Sequence, residues 1–292
     1  MTSLFSSNTV INNKLLYSKT TMKKAIKITV ENSDYQHFEV LKRNRYKRYK
    51  FRKFFIEGVN SIDLALQNSW QIESFLFSDF NSLSSWAKNI LRNSKAEFHY
   101  ELTSDLMRKI SDKEDASELI AIGRIPEKSL DEIKIKQDLL IVIFDRPSNP
   151  GNLGTVIRSC NSFKVDALII TGHRVDLYDP ITIRASVGSF FRLPIFVKES
   201  HKDLQLLFDR LNDENLDFQI IGTSAKTEEY INKVKYPKAT ILIIGNEKSG
   251  ISNNYRQMCH QVVKIPIYGV ASSLNVGCAA SIVLYEINCQ RM

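Results

Sequence analysis

Long hydrophobic runs are missing from these 292 residues. The longest, such as L-L-I-V-I-F at 139–144, are strand-sized and fall well short of the roughly 18 apolar residues a membrane-spanning helix needs, so no membrane partner is expected. Cysteine is scarce. Cys160, Cys259, Cys278 and Cys289 show no C-x-x-C pairing and fall in stretches that read as helices or helix ends; they are expected to be buried, reduced thiols of an intracellular, cytoplasmic protein. The five histidines have neither H-x-x-H nor H-E-x-x-H spacing, so no metal site is expected. Residues 1–30 hold no Asp, Glu or Arg. The absence of acid resembles an organellar transit peptide, but without arginine or an amphipathic period the plainer expectation is a disordered basic tail over 1–35, with Met22 a second candidate start. No apolar segment behind a basic start marks a secretory signal.

What is present is the make-up of a globular chain, 43% apolar and 25% charged, with a formal net charge of +8. The charge is concentrated. L-K-R-N-R-Y-K-R-Y-K-F-R-K at 41–53 carries eight basic residues, no acid and three aromatics. Cations in that density, interleaved with rings that can stack on bases, point to nucleic acid, and Arg43, Arg45, Lys47, Arg48, Lys50 and Arg52 are the candidate RNA contacts. A solvated charged surface is the competing reading.

Short apolar strands alternate with short amphipathic helices from about 51 to 124, which predicts a small α/β domain over 36–125. P-E-K-S-L-D-E-I-K-I-K-Q-D, residues 126–138, is polar and opens on proline, and reads as a linker. From 139 to 292 the strands become continuous apolar runs separated by helices, as in a parallel sheet covered on both faces. Ligands of such sheets bind at the carboxyl ends of the strands. That rule selects three loops rich in Gly and small polar residues: 146–152, 245–250 and 266–274. None is a standard phosphate loop, since N-P-G-N-L-G lacks G-x-G-x-x-G spacing and G-N-E-K-S-G has no K-[ST] after its last glycine. The third loop places Ser272, Ser273 and Asn275 at the mouth of an apolar helix, where free N–H groups and short polar side chains suit a polar ligand edge; Ser272 or Ser273 as a simple N-cap is the plain alternative.

Three ordered motifs then resemble those of the SpoU (TrmH-like) RNA ribose 2′-O-methyltransferases of the SPOUT class. N-P-G-N-L-G-T-V-I-R-S-C-N-S-F-K-V-D-A-L-I-I (149–170) resembles the first, with Asn152 and Arg158 in place. L-I-I-G-N-E-K-S-G-I (242–251) resembles the second, with Glu247 at its acidic position. I-P-I-Y-G-V-A-S-S-L-N-V-G-C-A-A-S-I-V-L-Y-E (265–286) resembles the third, with Ser273, Leu274 and Asn275 as its S-L-N. D-P-I-T-I-R-A-S-V-G-S-F-F-R-L-P-I (179–195) is similar to the family's R-A-S-x-G segment, and F-F-I-E-G-V-N-S-I-D-L-A-L (54–66) to the F-x-x-E-G start of an L30e-like substrate-binding domain. The chain departs from the family at S-D-K-E-D-A-S (111–117), and at Gly277-Cys278, where Ser-Val is usual.

The resemblance implies a SPOUT domain with a C-terminal trefoil knot, a homodimer, and S-adenosylmethionine as cofactor, held by Ile244, Gly245, Ile265, Pro266, Leu274 and Asn275. It implies methylation of a ribose 2′-OH in structured RNA, with 23S-type ribosomal RNA favoured over transfer RNA. A non-catalytic RNA-binding or ribosome-assembly protein with a degenerate pocket is the alternative. Arg158 is then expected to orient the hydroxyl and an adjacent phosphate, because a guanidinium does not deprotonate in proteins. Asn152 is expected to brace Arg158, Ser273 and Asn275 to position arginine, ribose or cofactor, Glu247 to hydrogen-bond at the wall of the site, and Arg184 to contact RNA phosphate, reaching toward a neighbouring subunit.

Overall fold

Two sheets form in the computed structural model, which describes residues 24–111 and 116–291. The transit-like stretch up to residue 23, with Met22, and part of the departure at 111–117 lie outside the described residues. The first domain contains β1 (Ile26–Ile28), α1 (Ser33–Arg43), α2 (Arg45–Phe51), β2 (Lys53–Glu57), α3 (Val59–Gln67), β3 (Ile72–Phe77), α4 (Ser85–Asn93), β4 (Phe98–Leu102), α5 (Ser104–Ile110) and β5 (Leu119–Arg124). Its sheet runs β1-β4-β3-β5-β2, with β5 antiparallel to both neighbours. Asn32, Ser84 and Thr103 each accept a first-turn N–H and start α1, α4 and α5.

Order begins earlier than the acid-free composition suggested. Residues 26–28 pair with β4, Ile28 is buried, and α1 is under way at Ser33, so residues 26–35 belong to the domain and not to a tail. Composition reports charge, whereas the Ile-Lys-Ile alternation is what lets one face enter a core.

The second domain contains β6 (Leu140–Asp145), α6 (Pro150–Ser162), β7 (Ala167–Thr171), α7 (Pro180–Ala185), β8 (Ile195–Lys198), α8 (Gln205–Asp213), β9 (Phe218–Thr223), β10 (Ala239–Ile244), α9 (Asn253–Met258), β11 (Gln261–Val263) and α10 (Val276–Arg291). The sheet is parallel throughout, in the order β11-β9-β10-β6-β7-β8. Alternate residues of β6 enter two cores: Leu140, Val142 and Phe144 meet α6, α7 and α10 on one face, while Ile141 and Ile143 meet α8 and α9 on the other. Burial on both faces is why these strands read as unbroken apolar runs, each side chain contributing about 1.5–3 kcal/mol.

Residues 126–138 are not a free linker. Ser129 and Glu132 form a capping box around a turn at Leu130–Glu132, Leu130 and Ile133 are buried in the second core, and Arg210 on α8 donates to both their carbonyls. The two domains also share a core. Phe54 and Trp70 from the first interlock with Tyr178, Phe190 and Phe191 from the second, with ring centroids 5.0–6.5 Å apart, and the Trp70 indole N–H donates to the Phe191 carbonyl at 3.0 Å.

Of the four cysteines only Cys160 is buried; Cys259 is half-buried, and Cys278 and Cys289 are exposed. The last two lie on α10, which is apolar nearly all round but turns one side, with Ile282 and Tyr285, to solvent. Among the described residues no helix is long and apolar enough to cross a membrane.

Candidate active site

From β6 the chain moves one way across the sheet to β7 and β8, while β9 and β10 lie on the other side. The neighbouring exits of β6 and β10 are therefore the topological switch point, where parallel sheets open a crevice for ligands. The exit of β6 leads into α6, begun by the Asn149 side chain accepting the Asn152 N–H at 3.0 Å, with Pro150 in the first turn, where its missing N–H costs nothing. The segment 264–275 leaves edge strand β11, passes the ends of β9 and β10, and brings Asn275 to α6.

There the three loops are tied by one polar network. The Glu247 carboxylate accepts from the Ser148 N–H at 3.0 Å and hydroxyl at 2.7 Å, from the Asn149 N–H at 3.2 Å, and from the Asn152 amide at 3.2 Å. Asn152 in turn accepts from the Asn275 amide at 2.9 Å. Partial burial alone would raise the pKa of Glu247, but the hydrogen bonds from Ser148, Asn152 and the backbone outweigh it and hold the group below its ordinary value. It therefore stays an anion, acting as a fixed acceptor and not as a proton donor.

Arg158 lies on α6 two three-residue steps beyond Asn152, past Thr155, on the side that meets α10. It is exposed, and its guanidinium has no partner among the described residues. The expected brace from Asn152 is not formed, because Asn152 is engaged by Glu247 and Asn275. Asn275 is the helix cap: its side-chain oxygen accepts the Gly277 N–H at 2.8 Å and its carbonyl the Ala279 N–H. Neither Ser272 nor Ser273 caps the helix. Ser273 is exposed and makes no hydrogen bond among the described residues.

Ile244 ends β10 and Gly245 follows it, both buried, and Ile265 and Pro266, half-buried, follow β11. A Cβ on Gly245 would fall 2.1 Å from the Gly250 carbonyl carbon and the Ile251 nitrogen, so only glycine lets this loop fold back so tightly. Leu274 is 39% exposed. The amides of residues 267–274 have no hydrogen-bond partner among the described residues, which leaves a run of free backbone donors beside the switch point. A nucleoside edge and an amino-acid carboxylate are ligands that such donors satisfy, so the residues present fit S-adenosylmethionine.

The basic segment divides. Arg48 is not an RNA contact: it is 2% exposed and spends its donors on Asp176 at 2.6 Å, Asp179 at 3.4 Å, and the Leu41 and Lys42 carbonyls at 2.8 Å. Burying a guanidinium demands that every donor be met, and these four acceptors meet them. Arg52 donates to the Ile125 carbonyl and pairs with Glu127, and Arg45 donates to the Arg174 carbonyl at 2.7 Å in the loop after β7. Arg43 sits 3.6 Å from Glu39, Lys47 lies over the Phe51 ring, and Lys50 is exposed. Arg184, also exposed, lines a groove between α7 and the start of α3.

Sequence reasoning missed the bracket behind the site. Asp145, 2% exposed, binds Arg146 through both oxygens at 3.0 and 2.9 Å and accepts the Ser252 N–H. Arg146 donates to the Gly250 carbonyl, and Asn246 to the Arg146 carbonyl. The available signal was an aspartate ending an otherwise apolar strand.

A two-domain α/β chain with a polar network at the switch point of a parallel sheet is the class this geometry defines. The SpoU rRNA methylase family profile matches residues 139–285, and the SpoU L30e-like domain profile residues 32–121. The chain belongs to the SpoU rRNA methylase family. It is 35% identical over 269 residues to a 23S rRNA (uridine(2479)-2′-O)-methyltransferase of Streptomyces viridochromogenes, covering 92% of this chain and 93% of the relative. It is 25% identical over 241 residues to the 23S rRNA (guanosine(2553)-2′-O)-methyltransferase RlmP of Bacillus subtilis, covering 82% and 90%. The crystal structure of the SpoU methyltransferase AviRb from Streptomyces viridochromogenes in complex with the cofactor AdoMet superposes with a TM-score of 0.84 at 34% identity, over 89% of this chain and 98% of that one.

Proposed function

We propose that this chain methylates a ribose 2′-hydroxyl of 23S-type ribosomal RNA, using S-adenosylmethionine. The observation that carries the reading is the Asn152–Glu247–Asn275 network, which joins three distant loops at the switch point and leaves the Arg158 guanidinium on the same helix unpaired. The 23S rRNA 2′-O-methyltransferase names of the relatives support the choice of RNA.

When bound, the cofactor supplies an electrophilic methyl group on sulfur. The chain's part is placement. The ionised Glu247 and the two asparagines fix loops 146–152, 245–250 and 266–274 against one another, so that Ile244, Gly245, Ile265 and Pro266 form a shaped wall and Leu274 and Asn275 offer backbone donors. Arg158 remains protonated and donates to the ribose oxygen and a neighbouring phosphate, orienting the nucleophile for in-line attack. Ser273, free and exposed beside Asn275, is a further donor to substrate. Arg43, Arg45, Lys47, Lys50 and Arg184 form the outer RNA surface; Arg45 joins it to the loop after β7, at the same end of the sheet as the site.

The chain works as a homodimer in the cytoplasm. Tyr268 and Val270 are almost fully exposed in the third loop, and Ile282 and Tyr285 are exposed on α10; this is apolar surface that a second copy would cover. The passage of residues 264–275 across the strand ends supports a trefoil-knotted path.

The test is transfer of labelled methyl to an unmodified 23S rRNA transcript, followed by alkaline digestion. A ribose-methylated nucleotide blocks cleavage at its own linkage, so the label is expected in a dinucleotide. Label in a mononucleotide would mean base methylation and contradict the reading.

A further inference from the structure

Away from the catalytic loops, at the amino end of β8, an open groove of about 430 Å³ runs between the two domains. Trp70 and Gln71 border it from the first domain, Arg192 and Pro194 from the second, and Lys128 from the segment that joins them. Lys128 lies 5.5 Å from the centre of the Trp70 ring and 5.9 Å from that of Phe196. Two cation–π contacts account for part of its placement, but they leave its three N–H donors without an acceptor. No carboxylate lies within ion-pairing distance of Lys128 or of the exposed Arg192 among the described residues. Glu132, the acid on this rim, is held in its capping box by the Ser129 N–H at 2.8 Å. Arg124, the third cation, is already paired with Glu73 and Glu97. Burial lowers the pKa of Lys128, with the charge of Glu132 partly offsetting it. A half-buried ammonium without a counter-ion is a costly arrangement that an incoming anion relieves.

We propose that this groove is a second RNA contact, in which Lys128 and Arg192 hold a backbone phosphate of the ribosomal RNA remote from the methylated nucleotide. The groove is open and not enclosed, as a strand requires and a small metabolite does not. It is lined by both domains, so an RNA seated there engages them together. The inference rests on the RNA reading above, but its test does not depend on methyl transfer.

The test measures binding of a 23S rRNA transcript across a salt series for the wild type, Lys128→Gln, Arg192→Gln and the double variant. Each lost phosphate contact should reduce the slope of log affinity against log salt by about one unit. Lys128→Arg should restore it, while the S-adenosylmethionine affinity and thermal midpoint of Arg192→Gln stay at the wild-type value. In turnover, the KM for RNA should rise several-fold with kcat at saturating RNA unchanged. Unchanged slopes in both single variants overturn the proposal even where the wild type methylates RNA normally. Wild-type protein that binds this RNA without methylating it overturns the function reading, while the slopes still decide the groove. If inorganic phosphate raises the thermal midpoint of the wild type but not of the double variant, and the RNA slopes do not move, the groove takes free phosphate and the proposal is wrong.

Discussion

Arg48 and Arg158 are the same side chain in opposite settings. Arg48, between α2 and the loop after β7, is sealed in the seam between domains with two aspartates and two carbonyls satisfying it. Arg158, on α6 at the crevice, is exposed with its donors unclaimed. A guanidinium that the protein has already saturated is part of the architecture; one left unsaturated beside a braced polar network is available to a substrate. The basic run around Arg48 was the louder signal in the sequence, and the single Arg158 the quieter, yet it is the second whose donors the described residues leave unclaimed.

Substitutions sharpen this contrast when read first as stability. Arg48→Ala leaves Asp176 buried and uncompensated and should cost about 3–5 kcal/mol, measured by urea unfolding; a loss under 1 kcal/mol would mean the seam does not depend on this pair. Gly277→Val comes next. A Cβ at Gly277 would lie 2.6 Å from the Thr155 methyl, where α10 crosses α6 and Ser281 meets Ser159 at 2.7 Å. Overpacking there should cost about 1–3 kcal/mol and weaken cofactor binding, and Thr155→Ala in the same chain should recover part of both.

Glu247→Gln has a smaller effect, confined by pH. The folded-state pKa of Glu247 lies below its unfolded value, so its contribution is present above the unfolded pKa and disappears as pH falls through the folded one. The variant should therefore lose stability at neutral pH and converge with the wild type in acid. Parallel stability curves across that range would show that the carboxylate's hydrogen bonds contribute nothing to the loops.

Much of this was legible in advance, for physical reasons that differ by element. The strands of the second domain are buried on both faces, so their unbroken apolar runs could be read directly, and the ligand end of the sheet followed. Asn149 before Pro150 is a local capping signal. By contrast, Arg48 shares its residue type and its helix with the exposed Arg45, and Asp176, which captures it, lies 128 residues away. The Asn152–Asn275 bond spans 123 residues; spacing along the chain carries no trace of it, and only the motif resemblance brought the two together. Residues 126–138 looked like a linker because their buried positions, Leu130 and Ile133, are too few and too widely spaced to make a period.

The most direct test is Arg158→Ala, in which equilibrium binding of S-adenosylmethionine and single-turnover methyl transfer to a 23S rRNA transcript are measured on the same preparation. Stability should stay within about 0.5 kcal/mol of the wild type and cofactor affinity should be unchanged, while transfer falls about 100-fold or more, because the nucleophile is no longer held in line. Transfer at the wild-type rate would contradict the account.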